Sequence, residues 1–326
     1  MITFDSSLII SNLTNPALLC FMIGAAAALL KSDLRVPSQV HETLSMYLLF
    51  SIGLKGGMAL DKVTLSAMIH PLIMTLIIGI STPIIAYFTA RYAGKISSIN
   101  AAALAAHFGS VSAVTFMAAV NFATHTHVVY DGFLTALLVL LEIPGIVIAL
   151  IIAGMTRTQK QIGLHSILHE ALTGKSVLLL TGGLMVGLWA DPKGLIPLES
   201  VFISPFQGIL AFFLLEMGVV AALRLRESKK RLPFMLCYGT MMPLCFGLLS
   251  LCLGHYMDLA IGTNAILATM AASASYIAAP AAVKMALPEA NPSLYLTTSI
   301  SIALPFNLIL GIPIYFSIAH LLAAHS

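Results

Sequence analysis

Runs of about 17–25 predominantly apolar residues follow one another along this chain, parted only by short charged or polar clusters. A run of that length spans a hydrocarbon layer of about 30 Å as a helix, the one open-chain structure that satisfies its own backbone hydrogen bonds in lipid. The 326 residues hold only 16 Lys and Arg and 13 Asp and Glu, 9% of the chain, against roughly 25% in soluble proteins. With a mean hydropathy of +0.98, there is more apolar surface than soluble domains could hide from water. The expected fold is therefore all-α: a polytopic membrane protein with ten transmembrane helices. Their approximate limits are residues 10–30, 39–60, 64–90, 98–121, 128–154, 172–190, 204–223, 232–257, 262–286 and 293–321.

The distribution of positive charge supports that number. Loops after the odd-numbered spans carry Lys31, Arg35, Arg91, Lys95, Arg157, Lys160, Lys175, Arg224, Arg226, Lys229, Lys230, Arg231 and Lys284, whereas the opposite side carries only Lys55, Lys62 and Lys193. A miscounted span would scramble this asymmetry, so the first set is expected in the cytoplasm and both termini outside it, in the inner (plasma) membrane. Asp5 precedes the first basic residue, Lys31, an order that favours an uncleaved first span over a signal peptide. The net charge of +3 is segregated by loop and forms no patch, which argues against a nucleic-acid partner. Cys20, Cys237, Cys245 and Cys252 lie in apolar stretches without ligand spacing, so neither a disulfide framework nor zinc is expected.

A repeat runs through the chain at an offset near 161 residues. Gly57 pairs with Gly218, Ser112 with Ser273 and Pro144 with Pro305; Pro71 with Pro233 and Pro83 with Pro243 follow within a residue. Residues 1–160 and 161–326 are then two five-span copies, the second inserted upside down because five is odd. Inverted repeats of this kind mark secondary transporters. The link Thr156 to Leu172 is expected to be amphipathic and cytoplasmic; within it His165 and His169 have helical spacing before Glu170, which reads as a solvated face rather than a metal site.

Spans four and nine each have a centre of small and hydroxylated residues: Gly109, Ser110, Ser112 and Thr115 in one, Ser273, Ser275 and Tyr276 in the other. Glycine disfavours a continuous helix, and serine and threonine bond freed backbone or a ligand. If both spans break there, two half-helix N-termini meet from opposite directions and offer N–H groups and positive dipole ends to a small anion. Close helix packing is the alternative, as in Gly183-Leu-Met-Val-Gly187. Glu142, mid-span five, is expensive there and so a candidate to ligate a coupling cation, carry a proton or cap backbone freed by Pro144. Lys55 and Glu216 occupy matching places in the two copies and fit an ion pair or snorkelling. His107 reads as an ordinary buried histidine. It stands five residues from Ser112, off its helix face, so the two make no nucleophile–base pair and no enzyme is expected.

These residues resemble the cyanobacterial-type sodium-dependent bicarbonate transporters. The stretches that carry the likeness are Ile52-Gly-Leu-Lys-Gly-Gly-Met-Ala59, His107 to Ala119, Glu142-Ile-Pro144, Ile277-Ala-Ala-Pro280 and, most specifically, Leu287-Pro-Glu-Ala-Asn-Pro-Ser-Leu-Tyr295. The resemblance implies a carrier similar to bile-acid-symporter-like folds, with spans 1, 2, 6 and 7 as scaffold or gate and spans 3–5 and 8–10 as a core that moves like an elevator in a homotrimer. It implies bicarbonate at Gly109, Ser110, Ser112, Thr115, Ser273, Ser275 and Tyr276, and Na+ as coupling ion at Glu142 with Ser112 and Ser275, with no cofactor. At Tyr276 the chain departs from the family, whose members place an aspartate after the span-nine serine run. Its link is also shorter than in better-known relatives, so their regulation by a PII-like protein is not carried over. A carrier for another small monovalent anion, coupled to protons or uncoupled, stays open, as does a non-transporting membrane sensor.

Overall fold

The computed structural model describes residues 12–34, 36–60, 65–156, 169, 172–227 and 231–324. The 160/161 boundary and most of the link, His165 and Glu170 included, lie outside them. Among the described residues the secondary structure is entirely helical: α1 (Pro16–Leu29), α2 (Ser38–Leu60), α3 (Leu65–Phe88), α4 (Ser98–Phe108), α5 (Ala113–His125), α6 (Leu134–Thr156), α7 (Lys175–Trp189), α8 (Pro192–Leu198), α9 (Phe206–Glu227), α10 (Leu232–Tyr256), α11 (Ile261–Ala272), α12 (Ala278–Ala286) and α13 (Pro292–Ala324), the last containing π-helical turns.

Among the described residues seven helical stretches are long and apolar enough to cross a membrane. The other three expected spans fall on shorter helices, α1, α7 and α11, so length alone supports fewer crossings than the hydropathy reading. Each shortening has a local cause. Asn15 caps α1 by accepting the Ala17 N–H, with Pro16 as first helical residue, an arrangement suited to a helix start. Helix α7 stops at Ala190, extended before Asp191-Pro192; α11 stops at Ser273, which is also extended. The lipid-facing character is plain on α3, where Ile69, Ile73, Ile77 and Ile80 form an exposed stripe at helical spacing.

Two helix pairs lie backbone to backbone. A Cβ on Gly24 of α1 would fall 1.8 Å from the Leu215 carbonyl oxygen of α9, and one on Gly218 would fall 2.0 Å from that of Phe21. In the second pair Gly53 and Gly57 of α2 face the Leu180 and Leu184 carbonyls of α7, while Gly183 and Gly187 face those of Phe50 and Leu54. In the second pair residue numbers rise together along the contact; in the first, Ala28, one turn beyond Gly24, clusters with Val219 and Ala222 and its carbonyl accepts Arg226 Nη1 at 3.4 Å, so the partners in both pairs are parallel. The Gly183/Gly187 motif thus serves packing. Against this layer stands the rest, in which α4 and α5 are the most enclosed: 89% of their apolar window is buried, against 44–61% for the other long stretches.

Candidate functional site

Both expected breaks are present. Helix α4 ends at Phe108 and α5 begins at Ala113; α11 ends at Ala272 and α12 begins at Ala278. The first break can exist because two glycines meet there. A Cβ on Gly145 of α6 would lie 1.9 Å from the Gly109 carbonyl oxygen, and one on Gly109 would lie 2.5 Å from the Pro83 Cβ of α3, so only bare backbone lets the interrupted segment nest between α3 and α6.

The loose ends close on one another. The extended Ser112 caps α5, its Oγ accepting the Thr115 N–H at 3.1 Å and the Thr115 hydroxyl at 3.0 Å. Its own N–H donates to Ser273 Oγ at 2.8 Å, and that hydroxyl donates on to the Met270 carbonyl at 2.7 Å. In return the Ser275 N–H donates to the carbonyl of His107, in the last turn of α4, at 2.8 Å, and Ser275 Oγ accepts the Ala279 N–H at 3.2 Å. Each break thus satisfies groups that a terminating helix leaves orphaned in the other. The remaining first-turn N–H groups of α5, those of Ala113 and Val114, have no partner inside the helix and belong to the crossing.

Gly109, Ser110, Ser112, Thr115, Ser273, Ser275 and Tyr276 are therefore brought together, and the six with side chains are all buried. The Tyr276 ring is enclosed, its hydroxyl turned toward Ser112 and Thr115 without completing a hydrogen bond. A polar group left so in a low-dielectric interior is costly and a ready donor to an oxyanion.

Glu142 joins the cluster in a different way from Ser112 and Ser275. It is 4% exposed. Its backbone carbonyl accepts the Ser110 hydroxyl at 2.9 Å, while its carboxyl reaches the Ser176 side chain of α7 and leaves Oε2 buried without a partner. The carboxyl so stands where the enclosed helices meet the parallel-pair layer. His107 is fully buried, its Nδ1–H donating to the Ala103 carbonyl at 2.7 Å and its ring 4.6 Å from that of Tyr295.

Three contributors escaped sequence reasoning. Asn307 Nδ2 of α13 donates to the Ala272 carbonyl at 2.9 Å, capping the end of α11; a lone amide inside an apolar run was the available signal. Ser176 and Gly145 had none, since each acts only through a partner remote in sequence. Lys55 and Glu216 do not pair with each other. Glu216 Oε1 lies 2.9 Å from His41 Nδ1, and the Lys55 ammonium sits 4.0 Å from the centroid of the Phe206 ring.

The fold and site define an integral membrane protein whose enclosed helices cross at two interruptions. A family model described as the Na+-dependent bicarbonate transporter superfamily matches residues 16–320. The chain belongs to that superfamily, and membership in a transporter family implies that it is not an enzyme. No curated protein matches it at a significant level.

Proposed function

We propose that the protein imports a small anion, bicarbonate foremost, by sodium symport. The observation that carries this reading is the crossing of the two breaks, where the α5 N-terminus, the hydroxyls of Ser112, Thr115, Ser273 and Ser275 and the Tyr276 phenol converge. An anion leaving water needs donors to replace its hydration shell, and helix N-termini with neutral hydroxyls supply them without a buried counter-charge. Its oxygens would take over the Ser112 N–H and the Thr115 hydroxyl, which now donate within the crossing, and the Tyr276 hydroxyl, which has no partner there.

Alternating access in this reading comes from the core, spans 3–5 and 8–10, sliding like an elevator against a scaffold of spans 1, 2, 6 and 7 in a homotrimer. Ten crossings in two inverted halves fit the parallel pairing of α1 with α9 and α2 with α7, because spans one and seven then run one way and spans two and six the other. Gly57 and Gly218, related by the repeat offset, each seat their helix on the first helix of the other half. Both termini would lie outside the cytoplasm.

Glu142 is assigned to the coupling cation. Its contact with Ser176 across the layer boundary gives a cation bound there a means of biasing the core's position. The unpartnered Oε2 favours a second reading in which the carboxyl carries a proton instead. Purified protein in liposomes, given labelled bicarbonate under an inward sodium gradient and then a proton gradient, separates them. Uptake driven by sodium alone supports the first reading, uptake driven by protons alone the second, and uptake indifferent to both removes symport.

A further inference from the structure

A cavity of 210 Å3 lies between α2, α5, α6 and α9, away from the crossing but along the same half-helix that Ser112 caps. Phe116, Met117 and Thr124 of α5 line one wall; Lys55, Thr135 and Gln207 supply polar groups to the others. By the liquid share of about 30 Å3 per water, it has room for a small anion with part of its hydration shell.

Lys55 is the feature that needs explaining. Its ammonium rests on the face of Phe206, a fully buried ring, and no carboxylate of the described residues lies within 4.0 Å of it. The acid that shares the cavity, Asp131, is held elsewhere: Thr263 Oγ1 donates to its Oδ2 at 2.6 Å and accepts its backbone N–H at 3.0 Å. Gly56 helps to place the charge, since a Cβ there would fall 2.3 Å from the Thr135 Cβ, so its absence brings the threonine against α2 beside Lys55. A half-buried cation over a ring, with no carboxylate of the described residues within reach and hydroxyl and amide groups beside it, has the chemistry to take a small anion.

We propose that Lys55, with Thr135 and Gln207, forms an anion-binding vestibule that receives a small monovalent oxyanion on the outer side before it reaches the crossing. The cargo and the side of the membrane rest on the proposed function; the vestibule itself rests on the cavity and the unpaired ammonium. Phe116 and Met117 directly follow Thr115, so the two places are consecutive along α5.

Cyanate probes the wild-type protein directly, being a small anion whose acid form adds across an amine N–H to leave a urea. Peptide mass spectrometry then reads modification at each lysine of the protein in liposomes. Millimolar bicarbonate is expected to slow carbamylation of Lys55 at least about fivefold while leaving the exposed Lys193 unchanged, with chloride at equal ionic strength giving no protection. Equal rates with and without bicarbonate, or equal protection by chloride, overturn the proposal. In uptake, Lys55→Gln is expected to raise the half-saturating bicarbonate concentration about tenfold at unchanged maximal rate, and Lys55→Arg to restore it. Protection of Lys55 in a protein that transports no bicarbonate would retain the vestibule and remove the cargo; driven uptake without protection would do the reverse.

Discussion

The backbone N–H of Ser112 donates to the hydroxyl of Ser273 at 2.8 Å across 161 positions of sequence, the separation at which the sequence reading pairs these two serines. One hydroxyl thereby closes an orphan donor of the α5 start and, through Met270, a carbonyl of the α11 end. The two breaks hold each other, so their geometry is a joint property of both halves of the chain.

Removing that hydroxyl tests the dependence. Ser273→Ala leaves the buried Ser112 N–H without its acceptor, a loss of about 1–3 kcal/mol for an unsatisfied buried group. The variant is expected to unfold at lower temperature in detergent and to lose most bicarbonate uptake. Unchanged thermal stability would mean that the breaks are independently stable.

The glycines offer a paired comparison between neighbours. A Cβ on Gly182 meets nothing within 4 Å, whereas one on Gly183 would lie 2.4 Å from the Phe50 carbonyl oxygen. Gly182→Ala is expected to be neutral or to stabilise α7 by up to about 1 kcal/mol through helix propensity, while Gly183→Ala drives α2 and α7 apart and lowers the unfolding temperature. Equal melting curves for the two variants would refute the close packing of that pair.

Capping of α11 by Asn307 can be checked in the same way. Asn307→Leu keeps the volume but strands the Ala272 carbonyl, with an expected loss of about 1–3 kcal/mol, and it frees the end of α11 that presents Ser273. Uptake should fall with stability. A leucine variant as stable as the parent would show that the amide has no structural part.

Glu142→Gln keeps the shape of the side chain and removes its charge. Wild-type uptake is expected to rise with the gradient of the coupling ion and the variant's to fall roughly tenfold, about 1.4 kcal/mol, and to lose its response to that gradient. A variant driven as well as the parent would take the carboxyl out of coupling.

The interruptions were legible because composition alone shows them: a glycine and clustered hydroxyls inside an otherwise apolar run point to backbone that does not continue as helix. Span count was less so, since α1, α7 and α11 are short for reasons of capping, proline and breakage that hydropathy averages away. The closing contacts could not be read at all. Ser275 meets the His107 carbonyl, Asn307 the Ala272 carbonyl and Glu142 the Ser176 side chain only after the chain has folded, and a residue type does not announce a partner so remote. Glu142 was singled out by its cost in lipid, yet its reach to Ser176 of α7 is a tertiary fact.

The account's central claim is that the anion binds between the converging half-helices. A cryo-electron-microscopy map of the protein saturated with bicarbonate and sodium, set against one prepared without bicarbonate, tests it directly. New density against the first-turn amides of Ala113 and Val114 and the hydroxyls of Thr115 and Tyr276 is the expected result. A crossing unchanged between the two maps, with bicarbonate density elsewhere in the protein, would contradict it.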